Sequence, residues 1–323
     1  MKIAITGALG HIGSKLIREL PVTFPGVEIV MIDSMATQRF SSLFNLPDTA
    51  RYRFIEGDIL SYDLVSLFDG ADAVMHLAAI TNAAGSFEIK RRVERENFAC
   101  TQCVAEASLK VGVPLIHLSS TSVYGTQKEV VDENCSEEEL KPQSPYAETK
   151  IREEKLLKRM YDEQGLKNLV CRFGTIFGIS PGMRFHTAVN KFCWQAVLGQ
   201  PITVWTSAYD QKRPYLDLDD AIRAITFIIK NRIFNGEIYN VLTHNLTVRD
   251  VVDVIHEWVP DLKIDFVDHE IMNQLSYNVS CEKFEGLGFV FRGDVRRGIE
   301  QTIGLLRNAN KKGGWVPALK SER

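Results

Sequence analysis

Apolar and polar positions along the first half of the chain alternate between two rhythms. Lys2–Thr6 is a short apolar run of the strand type. His11–Leu20 follows, with Ile12, Leu16, Ile17 and Leu20 at helical spacing. Val27–Ile32 reads as a second strand ending at Asp33, Arg51–Ile55 as a third and Ala71–Leu77 as a buried fourth. A long helical stretch, Glu88–Val111, leads to a fifth buried strand at Val113–Leu118. Ala147–Asp162 is charged and amphipathic, and Asn168–Phe173 is strand-like again. Strands separated by helical segments of this length predict βαβ units, hence an α/β fold with a doubly wound parallel sheet and helices on both faces.

The rhythm changes after Gly178. Ser180-Pro181-Gly182 breaks the pattern, and the remainder mixes short strands and loops with two helical segments, Asp219–Lys230 and Thr247–Val259. We place a boundary near residue 178, with chain segments interleaving across it. Residues 1–178 then form the sheet domain, and 179–323 form a smaller α+β lobe over the sheet edge, where ligands sit in doubly wound folds. No internal repeat is present, and a mobile tail is expected from Lys311-Lys312-Gly313-Gly314 onward.

Composition narrows the function classes. At about 150 residues per domain, 323 residues suggest two domains or one large one. Hydrophobic residues make up 45% and charged residues 24%, enough apolar material for a sizeable core. Lys and Arg number 38 against 41 Asp and Glu, a formal net charge of −3, so the chain offers no overall basic field and no nucleic-acid partner is expected. The longest apolar stretch, around Ala73–Ile80, is far short of the roughly 18 residues of a membrane span, and the N-terminus has no signal-peptide profile. A cytoplasmic protein is expected. Cys100 and Cys103 form a lone CxxC without a second pair, which reads as helix-buried thiols, and no metal site is expected.

Three segments carry chemistry. Gly7-Ala8-Leu9-Gly10-His11-Ile12-Gly13 is a GxxGxxG turn between the first strand and the first helix. Glycines there permit a tight turn and let a pyrophosphate approach the helix N-terminus, where free N–H groups and the dipole attract anions. Asp33 follows Gly13 by 20 positions at the end of the second strand. A carboxylate in that place accepts hydrogen bonds from an adenosine ribose and repels a 2′-phosphate, favouring NAD over NADP, although Arg39 nearby would tolerate a phosphate. Tyr146-Ala147-Glu148-Thr149-Lys150 sets a phenol and an ammonium four residues apart on one helical face. A neighbouring cation lowers a tyrosine's pKa and makes it a useful base near neutrality. A second YxxxK, Tyr124…Lys128, lies in a polar loop instead. Ser119-Ser120-Thr121-Ser122-Val123-Tyr124-Gly125 ends the fifth strand, where hydroxyls face the crevice of an open sheet. It contains no nucleophile elbow, so we read it as polarising a hydroxyl or carbonyl without covalent catalysis.

Together these residues resemble the extended short-chain dehydrogenase/reductase family, in its NAD-dependent nucleotide-sugar epimerase/dehydratase branch. The resemblance covers most of the chain and rests on the motifs above together with Gly57-Asp58-Ile59, His76-Leu77-Ala78-Ala79, Asn97, Arg172…Gly178 and Arg213-Pro214-Tyr215-Leu216-Asp217-Leu218-Asp219-Asp220. It implies a Rossmann-type cofactor domain, a nucleotide-sugar substrate lobe and NAD as cofactor. Tyr146 is then the base for a sugar hydroxyl, Lys150 holds the nicotinamide ribose, and Ser120 is the active-site hydroxyl, with Thr121 taking its place if the register slips by one. The implied cofactor contacts are Gly7, Gly10, His11, Ile12, Gly13, Asp33, Ser34, Asp58, Ile59, Leu77, Ala78, Ala79 and Asn97, with Tyr146 and Lys150. The implied substrate contacts are Thr81, Ser120, Thr175, Asn190 and Arg213, the arginine pairing with a diphosphate. By analogy a homodimer forms through the Glu88–Val111 and Ala147–Asp162 helices.

Departures from the family pattern discriminate within the branch. The 4,6-dehydratases carry an Asp-Glu pair just after the active-site Thr, where this chain has Thr121 and Ser122, and decarboxylases have Glu at the position of Ser122. Chemistry that needs only Tyr, Lys, Ser and NAD remains, of which C4 epimerisation of a nucleotide-diphosphate sugar is the simplest. A nucleotide-sugar 4-dehydrogenase or 4-keto-reductase shares every motif. A non-catalytic NAD(P)-sensing or nucleic-acid-binding member of the fold is a more distant alternative. Many relatives place Asn where Thr175 stands, to bind the diphosphate. The stretch Met183-Arg184-Phe185-His186 through Asn190 is a candidate to take over part of that work.

Overall fold

The computed structural model describes residues 1–81, 90–125, 129–268 and 277–309. The tail expected from Lys311, Lys128 of the second YxxxK, and Glu88 and Ile89 of the long helix lie outside them. The strands are β1 (Lys2–Thr6), β2 (Glu28–Asp33), β3 (Arg51–Glu56), β4 (Ala73–His76), β5 (Leu115–Ser120), β6 (Val130–Val131), β7 (Asn168–Phe173), β8 (Thr175–Phe177), β9 (Ile202–Trp205), β10 (Lys212–Asp217), β11 (Ile238–Val241), β12 (His244–Thr247), β13 (Ile264–Val267) and β14 (Asn278–Val279). The helices are α1 (His11–Thr23), α2 (Leu64–Phe68), α3 (Lys90–Val111), α4 (Pro145–Gln164), α5 (Ala188–Val197), α6 (Leu218–Asn231), α7 (Val248–Trp258), α8 (Glu282–Glu285) and α9 (Val295–Leu306).

Seven strands pair in parallel in the order β11-β7-β5-β4-β1-β2-β3, with helices on both faces. This is the doubly wound sheet that the alternating rhythm predicts. The strand order reverses between β1 and β4, which run side by side in parallel, and ligands sit above such a switch. One apolar core lies under α1 and α6 and includes Ile3, Ile5, Leu16, Ile17, Ile225 and Ile228. The core on the opposite face is built from Val74, Val104, Leu115, Leu157 and Met160, under α3 and α4. Beyond residue 178 the chain returns to the large sheet through α6, through β11, which pairs with β7, and through Phe284 of α8. Otherwise it builds a separate core of Val189, Phe192, Val251, Ile255, Ile299 and Ile303 from α5, α7 and α9. Among the described residues, no helix is long and apolar enough to cross a membrane, and no group of His, Cys, Asp and Glu could hold a metal ion.

Helix α4 is held to the sheet by charge as well as by apolar contact. It begins cleanly, with the Ser144 hydroxyl accepting from Ala147 N and Pro145 in the first turn, and it ends at Gly165 in the left-handed region. Lys150, Glu153, Glu154, Leu157 and Met160 share its buried face. Glu154 takes two hydrogen bonds from Arg172 of β7, at 2.9 and 2.7 Å, and one from Ser119 of β5 at 2.5 Å. The Arg172 guanidinium also donates to the Tyr124 hydroxyl at 2.8 Å, which donates in turn to Asn240 of β11 at 2.9 Å. Tyr124, in the loop that follows β5, is thus a buried strut to β7 and β11. Burial drives its phenol well above the ordinary range.

Removing one member of a buried, fully bonded pair leaves an uncompensated charge, so Arg172→Met should cost about 3–5 kcal/mol in chemical denaturation. The double variant Arg172→Met with Glu154→Leu should cost much less. A single-variant loss below about 1 kcal/mol would contradict a stabilising role for this pair.

Candidate active site

The turn after β1 is built for close approach. Gly7 has φ +67°, and a Cβ there would lie 2.7 Å from Ala78 N and 2.8 Å from Ala78 Cα at the end of β4, so only glycine fits. Gly10 caps α1 without a side-chain hydrogen bond, which leaves the first-turn N–H groups of His11, Ile12 and Gly13 without a side-chain cap. Within 4 Å a Cβ on Gly10 would meet only Gly7 O at 3.3 Å and Arg39 Nη1 at 3.6 Å. This is an open cradle at a positive dipole end and fits a pyrophosphate. Asp33 fixes the cradle from the next strand, its carboxylate accepting from Leu9 N and Met35 N, both at 3.0 Å. Ser34, beside it, is exposed.

The segment from Gly178 to His186 closes over this turn like a strap. His11 Nε2 bonds Gly178 O at 2.9 Å, Ser180 donates to His11 O at 2.9 Å, and Gly182 N donates to Ser14 Oγ at 2.9 Å. A Cβ on Gly182 would sit 2.3 Å from Leu9 O, so the strap lies directly on the cradle. It brings basic groups with it. Burial, with Arg39 and Arg184 adding to it, takes His11 down to about 4, and burial with Arg184, His11 and Arg39 does the same to His186. Burial and Arg184 also lower Arg39, which Asp33 partly offsets. Positive charge converges here, though the chain as a whole is slightly acidic.

Tyr146 and Lys150 sit one turn apart on α4, with the Lys150 ammonium 5.7 Å from the Tyr146 ring centre. The sequence predicts that Lys150 lowers the Tyr146 pKa. It does push that way, as does Arg184, but burial outweighs both and Glu153 opposes them, so Tyr146 lies above its ordinary value in the free protein. Ser120 ends β5 with its hydroxyl accepting from Ser122 N at 3.2 Å, and it is partly exposed. Thr121 turns inward, donating to Phe173 O at 3.2 Å.

The remaining sequence-derived residues fall into two groups. Leu77, Ala78 and Ala79 follow β4, and Leu77 and Ala78 lie against Gly7 of the glycine turn. Thr81 accepts from Arg184 of the strap. Thr175 lies in β8 beside Tyr215 of β10. Arg213 lies over the Tyr277 ring, 5.8 Å from its centre, and donates to Lys212 O and Gln211 Oε1. Others work inside the protein. Asp58 caps the short turn that contains Ile59. Asn97 of α3 clamps Ile80 by both its N–H, at 2.8 Å, and its carbonyl, at 3.0 Å. Buried Asn190 of α5 accepts from Gly178 N at 3.3 Å and donates to Arg184 O at 3.2 Å, anchoring the strap. His117 and Glu153, which the sequence reading missed, lie buried against Lys150. The available signal was the run of charged residues on the face of α4 that also carries Leu157.

Comparison with known proteins adds a family. Residues 3–241 match the model of the NAD dependent epimerase/dehydratase family. An uncharacterised UDP-glucose epimerase of Bacillus subtilis (strain 168) is 32% identical over 249 residues, 75% of this chain and 76% of that protein. A trifunctional UDP-glucose 4,6-dehydratase/UDP-4-keto-6-deoxy-D-glucose 3,5-epimerase/UDP-4-keto-L-rhamnose-reductase of Arabidopsis thaliana is 28% identical over 316 residues, 93% of this chain. The chain spans about half the length of that relative, 46%. Among solved structures, the UDP-glucuronic acid 4-epimerase of Bacillus cereus, in complex with UDP-glucuronic acid and NAD, is 26% identical with a TM-score of 0.83, covering 96% of this chain and 100% of that one.

The depressed His11 makes a pH prediction. Neutral in the fold down to about 4 and protonated from 6.5 downward when unfolded, His11 binds more protons in the unfolded state across that window. Stability of the free protein should therefore fall as pH drops from 6.5 to 4. Thermal melts of a His11→Asn variant should show a visibly flatter dependence. Parallel curves for variant and wild type would contradict the burial of this ring.

Proposed function

The chain belongs to the NAD-dependent epimerase/dehydratase family, and from that premise we propose that it epimerises a nucleotide-diphosphate sugar at C4. NAD is the cofactor of the family, and the glycine turn, the uncapped N-terminus of α1 and the Asp33 carboxylate suit its pyrophosphate and adenosine ribose. Bound there, NAD supplies a hydride acceptor, and later a hydride donor, for one sugar carbon. Tyr146 takes the proton of the C4 hydroxyl, and Lys150 keeps cationic charge beside the phenol. The Ser120 hydroxyl polarises the same sugar oxygen. Turnover of the resulting keto sugar and return of the proton from Tyr146 complete the inversion. Arg213 and the lobe after residue 178 are the proposed contacts for the nucleotide diphosphate.

The observation that carries this reading over dehydration is the absence of carboxyl groups after Ser120. Thr121 is turned into the sheet, and the Ser122 hydroxyl is buried without a partner. The two inward carboxylates of α4, Glu153 and Glu154, are engaged by Lys150, His117, Arg172 and Ser119. Elimination of water needs an acid and a base at the sugar, and these positions provide neither.

Incubation of the purified protein with UDP- and dTDP-hexoses should yield a C4 epimer by ¹H NMR without accumulation of NADH. Tyr146→Phe should lower kcat by about 10²–10⁴. Stoichiometric NADH without an epimer would favour the 4-dehydrogenase, and a Tyr146→Phe variant active within a few fold of wild type would exclude this tyrosine as the base.

A further inference from the structure

Helix α4 buries two adjacent carboxylates, and only one is accounted for by anchorage. Glu154 is saturated by Arg172 and Ser119. Glu153 faces the active-site lysine: its Oε2 accepts from Lys150 Nζ at 2.8 Å and lies 3.1 Å from His117 Nε2 of β5. His117 and Glu153 are fully buried, at 0% exposure each, yet Glu153 Oε1 and His117 Nδ1 have no hydrogen-bond partner. An interior carboxylate with one oxygen unsatisfied is costly to keep, and the neighbouring Arg172–Glu154 pair already ties the helix down. The geometry of Glu153 is directed at Lys150.

We propose, building on the reading of Tyr146 as the base, that the His117–Glu153 pair is a positioning device for the reaction. It fixes the Lys150 ammonium and takes up part of the charge that otherwise acts on the Tyr146 phenol. The charged and titratable groups facing this centre are Tyr146, Lys150, Glu153 and Glu154 of α4, His76 of β4, His117 of β5, Arg172 of β7 and Arg184 of the strap.

Burial and the Lys150 charge hold His117 neutral, so it serves as an uncharged donor from Nε2. His76 stacks on it, ring centres 5.6 Å apart, and is itself neutral through burial, with both ring nitrogens engaged by the hydroxyls of Thr6 and Thr101. Burial alone would push the Glu153 carboxyl up, but Lys150 and the His117 bond bring it down to about 2. Burial alone would also lower Lys150, and Glu153 more than restores it. The cost falls on Tyr146, where Glu153 counteracts the lysine. Glu153 therefore keeps the buried lysine charged and favours the protonated phenol in the free protein.

Removing the Glu153 charge should lower the pKa values of both neighbours. In Glu153→Gln the acid and alkaline limbs of the kcat/KM profile should both move to lower pH, by on the order of one unit. The decisive readout needs no turnover: ¹³C NMR of protein labelled at tyrosine Cζ, with the Tyr146 signal identified by its loss in Tyr146→Phe. Its titration should move to lower pH in Glu153→Gln and stay close to wild type in Glu153→Asp, which keeps the charge. An unchanged Tyr146 titration in a folded Glu153→Gln variant overturns the proposal. If that variant does not fold, ¹⁵N NMR of the wild-type lysines decides, because Lys150 should remain protonated above the ordinary lysine value, and an earlier titration overturns the proposal. A wild type that shows the Tyr146 shift but makes no epimer overturns the assigned reaction and leaves the pair standing.

Discussion

The burial of charge beneath α4 is the constraint on which the site depends. Lys150, Glu153 and Glu154 lie on one turn against β5 and β7, and each finds a partner only in one register of helix on sheet. A slide of the helix by one residue would strand three charges in the interior, at a cost of several kcal/mol each. Apolar contacts such as Leu157 and Met160 tolerate small shifts, whereas hydrogen-bonded ions do not. Tyr146, one turn before Lys150, inherits that fixed position. The phenol and ammonium are thus held by the scaffold rather than by a loop.

A second device works at the opposite side of the crevice, by local concentration of positive potential. The chain carries a net charge of −3, so attraction for an anion cannot come from its overall field. It comes from the uncapped start of α1 and from basic side chains gathered by folding: Arg39 from the segment after β2 and Arg184 from the strap. Asn190 and His11 pin that strap, one from each side of residue 178, so the glycine turn and the C-terminal part of the chain are joined there. The same Arg184 reaches Thr81 and acts on Tyr146, linking both devices.

The features most legible in the sequence are those set by short-range periodicity. The glycine turn, the carboxylate at the end of β2 and the YxxxK spacing are local patterns in a strand–helix context, and β7 begins and ends where its apolar run does. Helix ends shifted by a few residues because caps outside the periodic stretch decide them: Ser144 and Gly165 extend α4 beyond Ala147–Asp162. Long-range pairing was not legible. The α4 segment read only as charged and amphipathic, since nothing local signals that His117 and Arg172 will meet its carboxylates. Tyr124 lies in a loop as read, but its burial was not legible because its partners, Arg172 and Asn240, are 48 and 116 positions away. Asn97 and Asn190 carried a polar motif position, but their amides are spent on backbone groups of the segments they hold.

The central claim is that one sugar carbon gives up and regains a hydride while the proton travels through Tyr146. A nucleotide-diphosphate hexose carrying deuterium at C4 tests it directly, with the label followed by mass spectrometry and NMR in the epimer. The account predicts that the epimer keeps the deuterium at C4 and that the label does not exchange with solvent. Loss of the label to solvent, or its appearance at C6 of a dehydrated 4-keto sugar, would contradict it.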